Sequence, residues 1–174
     1  MTDLVAIQIT STPSIEQNLA LIERQLLQLH DKQQLVVLPE CFAFFGARDK
    51  KQVDIAETLD DGPIQAALSA FAKRYNKWIV AGTLPIKPFK SDVVTAEASK
   101  FYAASLVYNN EGVVVSRYDK IHLFDVNVND NIGHYEESAT TLPGENVVTF
   151  ESPWGTCLLY KFDAADGPRC LDLG

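Results

Sequence analysis

Two charged residues stand where buried strands are predicted to end, and both are of types used in acyl-transfer chemistry. Glu40 follows the apolar run 35–38 and precedes the aromatic-rich run 41–46. Partial burial there would raise the pKa of its carboxyl group, as a general base needs. Lys120 also ends a predicted strand, and between two carboxylates it would stabilise a developing oxyanion. From its position alone, Glu40 could be either a general base or a charge exposed to solvent. Position alone favours a surface charge for Lys120.

The chain before Glu40 predicts a βαβ unit. Apolar, β-branched strands at 4–9 and 35–38 flank a helical stripe that runs from Ile15 to Leu29. Ser14, followed three residues later by Gln17, fits a capping box at the start of that helix. A parallel strand pair with a right-handed crossover would put Glu40 at the carboxyl end of the sheet, where ligands bind in open α/β folds.

The later segments predict that the sheet continues in antiparallel order. A second helix is predicted from Gly62-Pro63, and a polar but ordered loop over 120–144. Further strands are predicted at 78–84, 101–108, 113–118, 146–151 and 156–162, with a hairpin between the second and third of these. The sheet is therefore predicted to be mixed.

Five motifs in order resemble the nitrilase superfamily of carbon–nitrogen hydrolases over residues 4 to 156. They are V-V-L-P-E at 36–40, R-Y-D-K-I-H-L-F-D-V at 117–126, Y-E-E-S at 135–138, L-P-G at 142–144 and S-P-W-G at 152–155. K-I-H-L-F-D-V followed by Y-E-E-S is most similar to the branch that hydrolyses deaminated glutathione and related ω-amides. The resemblance implies an α/β fold, a mixed-sheet α-β-β-α sandwich.

The resemblance also implies roles for three residues. Glu40 matches the general base, Lys120 the lysine that stabilises the oxyanion, and Glu137 the supporting glutamate. In such enzymes a cysteine thiolate attacks an amide or nitrile carbon and forms a thioester, and ammonia leaves from an amide. Water activated by the base then releases the carboxylic acid. No metal and no organic cofactor is implied, and the implied partner is a small-molecule amide.

The cysteine nucleophile is not where the resemblance expects it. A short strand ending in C-Y-D should follow P-W-G, but Lys161-Phe162-Asp163 stands there. Cys157 comes four residues too early, which in a strand is a displacement of ~13 Å. Cys41 is adjacent to Glu40 but would point to the opposite face of an extended chain, and Cys170 has no matching motif.

The match to the family motifs ends near Thr156. We therefore expect residues 1–156 to form the N-terminal part of a carbon–nitrogen hydrolase domain, incomplete at its C-terminus, and 157–174 to be a non-matching tail. A frameshift or premature stop is the first explanation, and a diverged homologue is the second. An incomplete sandwich would expose a sheet edge and apolar faces, which favours aggregation.

The segment 120–144 contains two possible sets of metal ligands. Asp125-x-Asn127-x-Asn129 imitates a calcium-binding loop, but its sixth position is Asp130 rather than glycine. His122 and His134 lack a recognisable ligand spacing. Polar residues that order a loop are the favoured interpretation, and no metal site is predicted.

Composition excludes several other classes of protein. The 174 residues are 47% hydrophobic with a net charge of −8, which fits one globular core and argues against binding to nucleic acid or anionic membranes. No leader or membrane-length apolar run is present, and three widely spaced cysteines without C-x-x-C indicate neither a disulfide framework nor a zinc site. We expect a cytoplasmic protein.

The sequence therefore predicts an amidase-type hydrolase by family, inactive as this chain because the nucleophilic cysteine is not in place. A non-catalytic binding or regulatory homologue that keeps the pocket is the alternative. An intact family member is expected to form a homodimer. A flavodoxin-like domain is a third possibility, and it would need a wholly parallel sheet.

Overall fold

The structure is a computed structural model that describes residues 4–46, 50–89, 100–127 and 134–161. Several predictions fall outside these residues. They concern Asn129 and Asp130 of the calcium-like loop, the side chains of Asn127 and His134, and the part of the tail that includes Phe162, Asp163 and Cys170.

The helices begin where the sequence supplies partners for their first N–H groups. Their bounds are α1 (Ile15–Leu26), α2 (Lys50–Asp54), α3 (Pro63–Arg74) and a 3-10 turn at Glu137–Ala139. Ser14 Oγ accepts the Gln17 N–H of α1 at 3.4 Å, as the capping pair predicts. At α3 the buried carboxylate of Glu57 accepts the N–H groups of Ile64 at 2.6 Å and Gln65 at 3.1 Å.

The strands form one large sheet and two small ones. Their bounds are β1 (Leu4–Ala6), β2 (Leu35–Val37), β3 (Trp78–Ile86), β4 (Phe101–Tyr108), β5 (Val114–Asp119), β6 (Asp125–Asn127), β7 (His134–Glu136), β8 (Thr141–Leu142), β9 (Val148–Ser152) and β10 (Gly155–Leu159). The six-stranded sheet has the order β1-β2-β3-β4-β5, with β8 also paired to β4. β6 pairs with β7, and β9 pairs with β10.

The large sheet is mixed, as predicted. β1, β2 and β3 are parallel, whereas β4 is antiparallel to both β3 and β5. The predicted hairpin at 101–118 is therefore confirmed, and the flavodoxin-like alternative is wrong because it needs a wholly parallel sheet. This arrangement brings the carboxyl ends of β2, β3 and β5 to the same edge of the sheet.

Each face of the sheet is covered by a different layer. α1 and α3 pack on one face in a core that includes Ile22, Leu68 and Ile79. The β9–β10 hairpin packs on the other face, where Phe150 stacks on Trp78 with ring centroids 6.3 Å apart. In the described residues, the helices, the large sheet and the second sheet are three of the four layers of the predicted α-β-β-α sandwich.

The polar segment 120–144 contains more regular structure than predicted. Where described, it holds β6, β7, the 3-10 turn and β8. These elements are two or three residues long, so periodicity had too few positions to reveal them. The missed strand β8 adds to β4 in parallel and so ties the end of the segment to the large sheet.

Candidate active site

Glu40 lies in a turn directly beyond the carboxyl end of β2. Leu38 still donates its N–H to Val80 O at 2.9 Å, and residues 40–43 then turn away from the sheet. A Cβ at Gly82 would overlap the carbonyl group of Pro39, so only glycine allows this close approach of the two chains. The Glu40 side chain is 49% exposed, which agrees with the partial burial expected at this position.

Lys120 follows β5 and is held by backbone pairing on both sides. Its N–H donates to Ala103 O at 3.0 Å, and its carbonyl accepts the Gly144 N–H at 2.9 Å. The Lys120 side chain is only 9% exposed. Its ammonium lies 3.0 Å from Glu137 Oε2 and 3.6 Å from Glu40 Oε2, so it joins two carboxylates that are far apart in sequence.

Two carboxylates keep Lys120 charged. Burial alone would lower the pKa of its ammonium group, but Glu40 and Glu137 together outweigh burial and raise that pKa above its ordinary value. The site therefore contains a fixed, protonated cation with a carboxylate on either side.

Glu137 is fixed by the segment that precedes it. Its Oε2 accepts the Phe124 N–H at 2.7 Å, and its own N–H donates to Phe124 O at 3.2 Å. Asp125 Oδ1 accepts the Ser138 N–H at 3.0 Å and braces the same turn. Glu137 is therefore pre-positioned to orient Lys120, and the structure brings Glu40, Lys120 and Glu137 together.

Lys161 joins this cluster, although the sequence did not identify it as a site residue. Its Nζ donates to Gly82 O at 2.6 Å and lies 3.7 Å from Glu40 Oε1. The side chain is 21% exposed. Burial lowers the pKa of Lys161 and the neighbouring Lys120 lowers it further, while Glu40 offsets part of the effect. The alignment with C-Y-D was the one signal that could have found it.

The Tyr118 hydroxyl bridges the backbone directly after Lys120 and the backbone of Lys161. Its hydroxyl, on a fully buried ring, accepts the Ile121 N–H at 3.3 Å and the Lys161 N–H at 3.2 Å. The same hydroxyl lies 3.4 Å from Lys161 O as a donor. Tyr118 therefore connects the chain that leaves β5 with the chain that leaves β10, a link for which sequence spacing contained no signal.

Neither described cysteine takes the nucleophile's place. Cys41 lies in the turn with a φ of 50°, so the strand alternation used to predict its direction does not apply. Its backbone N–H donates to Thr83 Oγ1 at 2.9 Å, and Gln52 Nε2 lies 3.6 Å from its sulfur. Burial raises the pKa of the Cys41 thiol, and the Glu40 and Glu137 carboxylates add to the rise, which opposes formation of a thiolate.

Cys157 lies in β10, opposite Phe150 of β9. It is half-buried against the hairpin core, as expected for a small apolar residue. Four residues of chain separate it from Lys161, a span of ~13 Å in an extended strand. This places its sulfur at the wrong end of the strand for the Glu40 cluster.

Asp125 and His122, whose side chains the structure describes, have partners other than a metal ion. Where the structure describes the chain, no group of three or more His, Cys, Asp or Glu side chains could hold a metal ion. Asp125 binds the backbone of Ser138, and the His122 Nε2 lies 2.8 Å from the Tyr160 hydroxyl. Within the same residues, no helix is long and apolar enough to cross a bilayer.

The motifs around this cluster match a known family. The carbon–nitrogen hydrolase profile matches residues 4–162. This chain belongs to the carbon–nitrogen hydrolase family. It is 36% identical over 154 residues to a deaminated glutathione amidase of Yersinia enterocolitica, a match that covers 88% of this chain and 51% of the relative. It is 32% identical over 136 residues to an omega-amidase of Saccharomyces cerevisiae, covering 77% of this chain and 44% of the relative.

Solved structures agree on the fold of this hydrolase family member. The crystal structure of Nit3 of Saccharomyces cerevisiae, a nitrilase-superfamily protein, superposes with a TM-score of 0.68 at 26% identity and covers 89% of this chain and 53% of the other. The NitFhit protein of Caenorhabditis elegans gives a TM-score of 0.69 at 24% identity, covering 89% and 37%. The resemblance to the deaminated glutathione amidase and omega-amidase branch is confirmed. The chain spans about half the length of the curated relatives it matches.

Proposed function

We propose that this chain forms the acid–base and oxyanion part of an amidase site for small ω-amides, and that it does not complete acyl transfer. The observation that carries the proposal is the cluster in which the Lys120 ammonium joins Glu40 and Glu137, at 3.6 and 3.0 Å. Amide hydrolysis needs a base for the nucleophile and a cation for the oxyanion, and this cluster contains both types of group.

In the proposed site, Glu40 is the general base. Its carboxylate is half-exposed, so a substrate can reach it, and it lies at the edge of the sheet where the parallel strands end. A carboxylate in this position would take the proton of an attacking thiol and later that of a water molecule. Glu137 is the positioning residue, because its hydrogen bonds hold the Lys120 ammonium and not the reacting atoms.

Lys120 is the proposed oxyanion partner. Its pKa is raised, so the ammonium stays protonated throughout the neutral range, as stabilisation of a tetrahedral oxyanion requires. Because backbone hydrogen bonds fix Lys120 on both sides, little reorganisation is needed when charge develops.

Lys161 is the reason for the proposed inactivity. Its ammonium lies 3.7 Å from Glu40 Oε1, so the base faces an amine where the family resemblance expects a thiol. The relatives named as amidases support small ω-amides as the ligand class, with deaminated glutathione as one candidate. The described cysteines are both free, which supports a reducing compartment such as the cytoplasm.

Ammonia release from small ω-amides tests this proposal directly. We expect no release by the natural chain above that of a Glu40→Gln control. We expect Lys161→Cys to release ammonia at least about a hundredfold faster than the natural chain, because Glu40 can then activate a thiol. Efficient release by the natural chain, or none by a folded Lys161→Cys variant, would contradict the proposal.

A non-catalytic amide-binding homologue is the second candidate, and the Lys161–Glu40 contact favours it. A ligand that binds only the native state raises its melting temperature, and the rise continues with the logarithm of ligand concentration above Kd. Stabilisation of the natural chain by an ω-amide without ammonia release, together with an inactive Lys161→Cys variant, would select this alternative. Sedimentation of the same samples shows whether this chain forms the homodimer expected of an intact family member.

A further inference from the structure

The amine of Lys161 has an unusual environment for a lysine near a protein surface. Its Nζ lies within the proposed amide site, 2.6 Å from the Gly82 carbonyl and 3.7 Å from Glu40 Oε1. The charged or titratable groups that act on it among the described residues are Glu40, Lys120 and Cys41. The Glu40 carboxylate bridges the two lysines, because its other oxygen lies 3.6 Å from the Lys120 Nζ.

We propose that Lys161 is a covalent amine site, which forms an imine with a small aldehyde or ketone that enters the cluster. This inference rests on the proposed function in one respect: the cluster is taken as the place where a substrate carbonyl group binds. It assigns that site a different electrophile and a different nucleophile, and it does not require hydrolysis of any amide.

Burial and the neighbouring Lys120 increase the fraction of Lys161 in the neutral, nucleophilic form relative to an ordinary lysine. A lysine becomes nucleophilic when it is desolvated or lies beside another cation, and Lys161 meets both conditions. Gly82 O accepts one hydrogen from Nζ whether the amine is neutral or protonated. In the neutral form this contact orients the group and leaves the nitrogen lone pair available for attack.

The reaction balances with groups already present in the site. The nitrogen lone pair attacks the carbonyl carbon, the C–N bond forms, and the carbonyl π electrons move to oxygen beside the Lys120 ammonium. The Glu40 carboxylate takes one proton from nitrogen and gives it to the oxygen, which forms a carbinolamine. It then takes the second nitrogen proton and gives it to the hydroxyl group, which leaves as water when the C=N bond forms. Amine and carbonyl compound therefore give imine and water, with no oxidant or reductant.

A lysine amine reacts with aldehydes and ketones but not with amides. An amide carbonyl carbon is a poor electrophile because the attached nitrogen donates electron density to it. An amine without a thiol would therefore leave an ω-amide intact but would capture an aldehyde of the same acyl length. The predicted ligand class is a small aldehyde or ketone.

Reductive trapping of each lysine in the natural chain tests the inference. Propionaldehyde and cyanoborohydride are added near neutral pH, and peptide mass spectrometry follows the propyl group on each lysine with time. Because burial and the neighbouring Lys120 lower the pKa of Lys161, more of its amine is neutral than in an ordinary lysine, and we expect Lys161 to be labelled several-fold faster than the exposed Lys32. Equal or slower labelling of Lys161 would overturn the proposal.

Two variants separate reactivity from folding. Lys161→Arg keeps the positive charge but cannot form an imine, and Lys32→Arg is its matched control. We expect only the first to abolish the fast phase of labelling, with unchanged circular dichroism in both. The Glu40→Gln change also lowers the pKa of Lys161 further, so labelling rates are compared per neutral amine from a pH profile. On that basis, Lys161 in a folded Glu40→Gln variant should label several-fold more slowly. An unchanged rate would overturn the assigned role of Glu40.

The outcome of the trapping experiment does not depend on whether the amidase proposal is correct. Ammonia release by Lys161→Cys tests hydrolysis, whereas trapping tests the natural amine. Fast trapping with an inactive Lys161→Cys variant would support the imine site and contradict the amidase site, and the reverse result would do the opposite.

Discussion

The segment after β5 and the segment after β10 each place a lysine beside Glu40. The pKa values of these two lysines shift in opposite directions. Lys120 contacts two carboxylates and its pKa is raised. Lys161 contacts one carboxylate and a carbonyl oxygen, and its pKa is lowered. Both side chains are shielded from water, so burial alone does not decide the charge of a lysine. The number of carboxylates within reach of the ammonium decides it.

The largest expected effect comes from removing the glutamate that both lysines share. In a Lys161→Cys background, we expect Glu40→Gln to lower ammonia release by about 10²- to 10⁴-fold, because an amide cannot accept the thiol proton. The rate constant of ammonia release measures this effect. Glu111→Gln, in the exposed β4–β5 turn, is the matched control and should leave the rate unchanged. A loss below threefold would remove Glu40 from the proposed role of base.

Replacing Lys120, which contacts two carboxylates, should destabilise the protein more than replacing Lys161, which contacts one. We expect Lys120→Met to lower the free energy of unfolding by about 2 kcal/mol, because it leaves Glu137 and Glu40 without their shared cation. Urea unfolding near neutral pH measures this loss. Lys161→Met is the matched control, and a loss as large as that of Lys120→Met would contradict the comparison.

Loss of the Tyr118 hydroxyl, which links the segments after β5 and β10, should lower the free energy of unfolding by a smaller but measurable amount. We expect Tyr118→Phe to cost about 1 kcal/mol, since it leaves the N–H groups of Ile121 and Lys161 without their acceptor. Urea unfolding measures the cost. Tyr102→Phe, on β4, is the comparison variant. Faster cyanoborohydride labelling of Lys161 in Tyr118→Phe would mean that the tyrosine restrains this lysine, and an unchanged stability would contradict its bridging role.

The smallest expected effect is an opposite dependence of stability on pH for the two lysines. The folded state holds the proton of Lys161 less tightly than the unfolded state does, so its contribution to stability rises as the pH rises from the lowered pKa towards 10.5. Lys120 contributes stability that is fully present below 10.5 and is lost as the pH rises through its raised pKa.

Stability measured against pH for Lys161→Met and Lys120→Met, each relative to the natural chain, tests these signs. We expect the natural chain to gain about 1 kcal/mol or less relative to Lys161→Met as the pH rises towards 10.5. Relative to Lys120→Met it should lose stability only above that pH. If the difference in unfolding free energy changed with pH in the same way for both variants, the opposite pKa shifts of the two lysines would be contradicted.

Local patterns predicted most of the frame. The capping pair at Ser14 and Gln17, the helix that starts at Pro63 and the hairpin at 101–118 depend on neighbours within a few residues. Apolar patterning was sufficient for β3 and β4, which are nearly continuous buried runs of eight residues or more. It failed for α2, β6, β7 and β8, which are five residues or shorter, because so few positions do not establish a period.

The site was predictable to the extent that motifs located it. Glu40, Lys120 and Glu137 were identified from their motifs, and the fold brings them together as the resemblance implies. The turn at Cys41 was not predictable, because its φ of 50° follows from packing against Thr83 and Gln52. Partial burial of Glu40 was expected from its place after β2, but its exposed fraction of 49% depends on which side chains cover the turn.

The sequence by itself determined the family, the mixed sheet and the absence of a cysteine at the end of β10. These are properties of residue type, order and short-range spacing. Only the tertiary structure decided that Lys161 reaches Gly82, 79 positions earlier in the chain, and shares Glu40 with Lys120. The charge of an amine depends on the water it loses and the carboxylates it gains, and both are set by atoms that the chain brings together only when it folds.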